Sequence, residues 1–249
     1  MLSQERHNFI RAELALKGRV VSFDIAQRFG VSEDTARRDL RELAKGGDCR
    51  RVYGGAVAPN GGALKERNNH LRDEKRRLAH CAAKLIRSGQ TLFIDSGSTN
   101  IAIAQAIADN LELTVATNSL GVAVALADHA RVKLVMLGGA YNRELGICSG
   151  EDTLSSIGKI YADVLFLGSC GVDSVHGATA FNSAEAEVKR AMAKNCAQIV
   201  VAATSEKLAT AASFHVVGPK LIHHLVVNRP VKASVLSPFK KQGITIHLA

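Results

Sequence analysis

Long apolar runs are missing from this 249-residue chain: no stretch reaches the roughly 18–20 uninterrupted apolar residues that a membrane-crossing helix needs. The N-terminus, MLSQERHNFI, carries charges where a secretory leader would place its apolar centre. Together these absences predict a cytoplasmic protein. Cysteine is sparse and scattered. The five, at positions 49, 81, 148, 170 and 196, are odd in number and include no C-x-x-C pair, which argues against a disulfide framework and a zinc ribbon. They are expected to be reduced and mostly packed. The nine histidines are equally dispersed, and the adjacent His223 and His224 would point to opposite faces of a strand, so neither a metal nor a cofactor is expected. Internal repeats and low-complexity tracts are also lacking. Acidic residues are in short supply, 23 against 32 basic ones, for a net charge of +9. An excess of that sign suits a polyanion or a small anionic ligand.

What is present is an ordinary globular composition, 47% hydrophobic and 22% charged, which excludes disordered and collagen-like classes. The length allows one large domain or two modest ones. The first 58 residues are helical in period and dense in charge, whereas from about residue 90 short apolar runs alternate with alanine-rich helical stretches. Between them, Ala58-Pro59-Asn60-Gly61-Gly62-Ala63 is turn-forming. A basic helix candidate, Lys65 to Arg87, follows it. The expected division is a first domain over 1–58, a linker over 59–70 and a second domain over 71–249. Six of the nine excess positive charges fall within residues 1–80.

Two short helical periods meet at Gly30, and Ser22 and Ser32 are suitable N-caps, which is helix-turn-helix spacing. On the second helix Ala36, Leu40 and Leu43 share one side, while Asp34, Arg37, Arg38, Arg41 and Lys45 share the other. In such a motif the second helix enters the major groove and flanking arginines neutralise phosphates. That points to Ser32, Asp34, Thr35, Arg37, Arg38 and Arg41 as DNA-contacting residues. Arg50-Arg51-Val52-Tyr53-Gly54-Gly55-Ala56 has the look of a basic hairpin, the wing of a winged helix, with Arg51 and Tyr53 in reach of DNA. The plainer alternative is a solvated helix face beside a surface hairpin. The caps, the glycine and the basic hairpin occurring together favour the DNA reader.

The C-terminal part predicts strands at Thr91–Asp95, Leu113–Thr117, Val132–Gly138, Asp163–Gly168 and Gln198–Ala203, with helices at Ser98–Asn110, Ser119–His129 and Glu185–Asn195. That alternation is α/β with a mostly parallel sheet, whose ligand site lies beyond the strands' carboxyl ends. Asp95-Ser96-Gly97-Ser98-Thr99 joins a strand to a helix, where free N–H groups and the positive helix end receive anions. Asn118-Ser119 and Gly138-Gly139 lie at two more strand ends and could converge on the same crevice. Ordinary helix capping is the alternative for each turn alone. Glu185, Lys189 and Lys207 add charge nearby, a lysine being a compact donor for phosphate or carboxylate.

The run Val31-Ser-Glu-Asp-Thr-Ala-Arg-Arg-Asp-Leu40, followed by Arg51-Val-Tyr-Gly-Gly-Ala56, resembles the DNA-binding signature of the DeoR-type bacterial transcriptional regulators. Tyr53 stands where that family usually has histidine, and Cys49 where it usually has leucine. The resemblance continues through Asp95-Ser-Gly-Ser-Thr99, Thr117-Asn-Ser119, Leu137-Gly-Gly139, Ala162-Asp-Val-Leu-Phe-Leu-Gly168, Glu185-Ala-Glu-Val-Lys-Arg190 and Ala203-Thr-Ser-Glu-Lys207. In the last motif Thr204 occupies the usual aspartate position. The resemblance implies a winged helix-turn-helix followed by an α/β sensor domain similar in fold to ribose-5-phosphate isomerases. It further implies a nucleoid-associated repressor of a sugar or polyol operon, a double-stranded DNA operator, a phosphorylated sugar or polyol effector and a homo-oligomer, dimer or tetramer. Carried onto this chain, the effector candidates are Asp95, Ser96, Gly97, Ser98, Thr99, Asn118, Ser119, Gly138, Gly139, Glu185, Lys189 and Lys207. The rival reading is an enzyme, a sugar-phosphate isomerase on the same fold. A DNA-organising protein would leave the second domain unexplained.

Overall fold

The computed structural model describes residues 3–17, 19–57 and 72–249. The expected linker, and the start of the basic helix candidate, lie outside the described residues.

Apolar positions three and four apart drive three helices together at the front of the chain: α1 (Ser3–Lys17), α2 (Ser22–Phe29) and α3 (Glu33–Lys45). Ile10, Leu14, Ile25, Ala36, Leu40 and Leu43 form their shared core. Gly30 stops α2 at φ 61, a left-handed conformation that glycine adopts without a Cβ penalty. Ser32 caps α3 as expected, accepting from the Thr35 amide at 3.2 Å. Ser22 does not cap α2: Val21 holds that position, and the Ser22 hydroxyl and amide both donate to Gly54 O, at 3.0 and 2.8 Å. It ties the wing to the first helix of the motif. Strands β1 (Arg19–Val21), β2 (Arg50–Val52) and β3 (Gly55–Val57) form an antiparallel sheet in the order β1-β3-β2, which is the wing of a winged helix. Cys49 is 3% exposed and fills a core position beneath it. Burial pushes its thiol up to about 11.

The second part is built on seven parallel strands: β4 (Thr91–Ile94), β5 (Leu113–Thr117), β6 (Val132–Met136), β9 (Ala162–Phe166), β12 (Cys196–Ala203), β14 (His224–Val227) and β15 (Thr245–Leu248). Their order is β15-β14-β12-β9-β4-β5-β6. One face buries α4 (Arg72–Ala83), α5 (Ser98–Gln105) and α6 (Leu120–Leu126); the other buries α7 (Glu151–Ile157), α8 (Ser183–Lys194) and α9 (Ala233–Lys241). Covered on both faces, the central strands are continuous apolar runs. A hairpin of β7 (Ala140–Asn142) and β8 (Ile147–Ser149) follows β6, and β10 (Gly171–Asp173), β11 (Gly177–Ala180) and β13 (Phe214–Val217) make a second antiparallel sheet.

The five expected strands all form, but three end sooner, at Ile94, Met136 and Phe166, although the Asp95, Leu137 and Leu167 amides still donate to the neighbouring strands. The helices at 98 and 119 are shorter than their apolar period suggests; α8 instead begins earlier, at the cap supplied by Asn182. His223 and His224 do diverge: His223 Nδ1 accepts from the Ile199 amide, while His224 meets His247 at 3.1 Å. No helix among the described residues is long and apolar enough to cross a membrane.

Candidate DNA-reading face and effector crevice

The outer face of α3 carries Arg37, Arg38 and Arg41, all exposed. Arg38 and Arg41 have no ion-pair partner among the described residues, whereas Arg37 is engaged by Glu33 at 2.8 Å and stands 3.8 Å from Asp34. Ser32 and Thr35 share the first turn, their hydroxyls 3.0 Å apart. The carboxylate of Asp34 is 92% exposed on the same turn. Asp39, within the same helix, faces inward and is 3% exposed. Arg6 Nε donates to Asp39 Oδ2 at 2.7 Å and Arg6 Nη2 to Oδ1 at 2.9 Å, with His7 Nε2 3.2 Å from Oδ1. This bidentate pair orients α3 on α1. No sequence pattern separates Asp39 from its solvated neighbours except its position beside Leu40. On the wing, Arg51 is exposed and Tyr53 is 67% exposed, its ring set edge-on to His176 of the second domain at 5.2 Å.

The second site gathers at the carboxyl ends of β4, β5, β6 and β9. Gly97 turns the chain at φ 131 between Asp95-Ser96 and the helix begun by Ser98 and Thr99. Asp95 is 1% exposed; its Oδ2 accepts from the Gly168 amide at 2.9 Å and from Lys189 Nζ, while its buried Oδ1 has no hydrogen-bond partner among the described residues. Lys189 Nζ also donates to Gly168 O at 3.0 Å and lies 3.3 Å from Glu185 Oε1. Burial works against that ammonium charge, but Asp95 and then Glu185 outweigh it, so the lysine binds its proton more tightly than in water. With three oxygens around one NH3+ group, Lys189 holds Asp95 in place and has no donor to spare.

Asn118 donates through Nδ2 to Cys148 O at 2.9 Å, and its buried Oδ1, like Ser169 Oγ, is unpartnered among the described residues. Ser119 is the cap of α6, accepting from the Val122 amide at 3.4 Å. Gly138 O accepts from Thr153 Oγ1 at 2.5 Å. Gly139 sits at φ 136, where a Cβ would overlap the Thr153 hydroxyl. Lys207 Nζ donates to Ser169 O at 2.8 Å, and Thr204 Oγ1 meets Glu206 Oε1 at 3.3 Å. Ser169, Asn100 and Gly168, all outside the expected set, complete the frame. Asn100 Nδ2 reaches Asp95 O and Phe166 O, both at 2.9 Å, and pins the turn to the end of β9. Gly168 passes so close to Ser96 O that any side chain would overlap it. The signal for Gly168 is a glycine closing an apolar strand run, and for Asn100 a buried polar residue inside a helix start.

A winged helix with a basic recognition helix, joined to an α/β domain with buried polar groups gathered at its strand ends, defines a DNA-binding transcriptional regulator with a ligand sensor. Residues 6–61 match the DeoR-like helix-turn-helix domain and residues 70–229 the DeoR C terminal sensor domain. The chain belongs to the DeoR family. It is 30% identical to the glycerol-3-phosphate regulon repressor of Escherichia coli K12, each covered 100% by the other. It is 28% identical to the transcriptional regulator IolR of Bacillus subtilis 168, covering 95% of this chain and 96% of that one. Among solved structures, ribose 5-phosphate isomerase A of Methanocaldococcus jannaschii aligns with a TM-score of 0.41 at 17% identity, over 55% of this chain and 54% of that one. Family membership over both domains sets the enzyme alternative aside: this is a transcriptional regulator of the DeoR family, not an isomerase.

Proposed function

We propose that this repressor controls a sugar or polyol operon and that a phosphorylated sugar or polyol in the crevice weakens its hold on the operator. The observation that carries this reading is the set of three buried acceptors without partners among the described residues, Asp95 Oδ1, Asn118 Oδ1 and Ser169 Oγ, on neighbouring strand ends. Buried polar atoms are rarely left unpaired, and sugar hydroxyls are donors of the right kind to satisfy them. The turn at Gly97 presents the first amides of α5 to the same space, where phosphate oxygens suit both the N–H groups and the helix dipole. Lys207 supplies the cation, and Ser96, Ser98, Thr99, Gly138 and Gly139 shape the walls. Glu185 and Lys189 act behind Asp95 as its support. The name of the Escherichia coli relative fits a phosphorylated polyol.

On the DNA side, Thr35, Arg38 and Arg41 face the major groove with Ser32, Asp34 and Arg37 at the entering turn, and Arg51 and Tyr53 extend the contact through the wing. A pair of readers on a palindromic site requires a homo-oligomer, isologous by symmetry, and the nucleoid of the cytoplasm is its place of work. The test is fluorescence anisotropy on the chain's own upstream DNA, titrated with glycerol 3-phosphate and a panel of hexose and pentose phosphates. At least one should weaken binding tenfold and raise the melting temperature. A panel without either effect overturns the effector reading, and no binding to upstream DNA overturns the operator reading.

A further inference from the structure

Among the described residues, the wing meets the second part of the chain at Ala211, Phe181 and His176. Residues 204–212 leave the carboxyl end of β12, the crevice side, with Lys207 Nζ on Ser169 O at 2.8 Å. Thr210 Oγ1 then donates to Lys207 O at 2.8 Å, and Thr210 packs so closely on Gly171 that a Cβ there would lie 2.5 Å from Thr210 O. Ala209 between them is held at φ 55, a conformation that a non-glycine residue keeps only where its neighbours fix it. One residue beyond Thr210, Ala211 O accepts from the amide of Tyr53 in the wing at 2.9 Å, while the Ala212 amide donates to Thr179 Oγ1 at 2.8 Å. The second clasp comes from α8. Arg50 Nη2 donates to Phe181 O at 2.8 Å, with its guanidinium 5.5 Å from the centre of the Phe181 ring. Phe181 directly precedes Asn182, the cap of the helix that carries Glu185 and Lys189.

We infer that this seam is the coupling element of the repressor: the docked wing is held by residues 204–212, and a ligand that draws Lys207 away from Ser169 O releases it. The inference rests on the effector reading above and assigns its route. An anion beside Lys207 competes for the ammonium that now fixes Ser169 O. Lys207 O is tied to Thr210 Oγ1, and Thr210 packs on Gly171, so the segment links residue 207 to Ala211 through direct contacts. On the reader side Ser22 donates twice to Gly54 O, so an undocked wing also loosens the start of α2. Both ends therefore bias one two-state contact, which is what coupling between distant sites requires.

The test is amide hydrogen exchange on the full-length protein, read on the peptide spanning residues 50–57, in wild type and in Lys207→Met. The variant should raise exchange of that peptide at least tenfold, with peptides of α1 and of β4–β5 unchanged, and should shift affinity for upstream DNA. Unchanged wing exchange in a folded Lys207→Met protein overturns the inference, as does deprotection of the wing with unaltered DNA affinity. Should Lys207→Met lose its fold, Arg50→Ala probes the same contact from the other side: it should deprotect residues 204–212, and failure to do so overturns the inference equally. A wild type that binds no upstream DNA sinks the operator reading, whereas the exchange result on the seam stands independently of it.

Discussion

Arg6 and Asp39 are joined by two hydrogen bonds, at 2.7 and 2.9 Å, inside the small core that supports the recognition helix. The pair is buried and also meets His7, so the one carboxylate inside the basic motif is fully answered before any DNA arrives. Arg37, Arg38 and Arg41 face outward because Ala36, Asp39, Leu40 and Leu43 form the buried side of the helix.

Asp39→Ala should therefore cost more than its neighbours. Removing one partner of a buried ion pair leaves the other charge uncompensated, at about 3–5 kcal/mol. Chemical denaturation followed by circular dichroism should show the front domain melting at lower denaturant, with operator binding lost in parallel. The double replacement Arg6→Met with Asp39→Leu should recover much of the stability, since neither charge remains. A stable, DNA-binding Asp39→Ala protein would contradict the role given to the pair.

Arg38 and Arg41, free of ion-pair partners among the described residues, should dominate the salt dependence of DNA binding. Removing one cation from a phosphate reduces the slope of log K against log salt by about 0.9. The double alanine variant should flatten the slope by about 2 in anisotropy titrations across a salt series. Arg37→Ala should change it less, because Glu33 already engages that guanidinium.

Asp95 and Lys189 separate support from contact. Lys189→Met strands two buried carboxylates and should lower the melting temperature by several degrees or more, by the same argument of about 3–5 kcal/mol. Asp95→Asn keeps a polar group of the same shape while weakening the grip on a ligand hydroxyl. It should fold and bind DNA, but show no thermal shift with a sugar phosphate that shifts wild type. Thermal shift assays on both variants check this directly.

The thiols offer a pH test. Burial raises Cys49, Cys170 and Cys196 each to about 11, so all three remain protonated through neutral pH. At pH 8 about one in a thousand of each is thiolate, the reactive form. Alkylation of the native protein by iodoacetamide at these sites should be slow at pH 8 and accelerate about tenfold per pH unit until pH approaches 11, as mass spectrometry of quenched samples would show. Since the folded protein holds these protons more tightly than the unfolded chain, their contribution to stability is complete below about pH 9 and is lost as pH rises toward 11.

Both domains were legible in the chain's local patterns. Gly30, Ser32 and the apolar spacing of Ala36, Leu40 and Leu43 mark a helix-turn-helix because turns and helix faces are set by residues a few positions apart. The central strands are legible for the same reason: Leu113–Thr117 is an apolar run between turn formers. The last part of the chain was not. Strands β14 and β15 carry histidines and are only four residues long, so they read as strands only once β12 provides an edge to extend. The sheet of β10, β11 and β13 has no local signature because it pairs Thr179 with His215 across a long gap, and strands of three or four residues have too few positions to display a period.

Residue order by itself determined the two-domain plan, the positive reader face and the polar turns at strand ends, since each depends on side-chain type and near-neighbour spacing. Tertiary structure decided which charges are available. It turned Asp39 inward onto Arg6, surrounded Lys189 with three oxygens, and left Asp95 Oδ1, Asn118 Oδ1 and Ser169 Oγ unmatched among the described residues. It also brought Tyr53 against Ala211, a contact between residues that share no local pattern. The physical reason is that the free energy of a charged or polar group depends on burial and on partners distant in the chain, and only the folded packing supplies both.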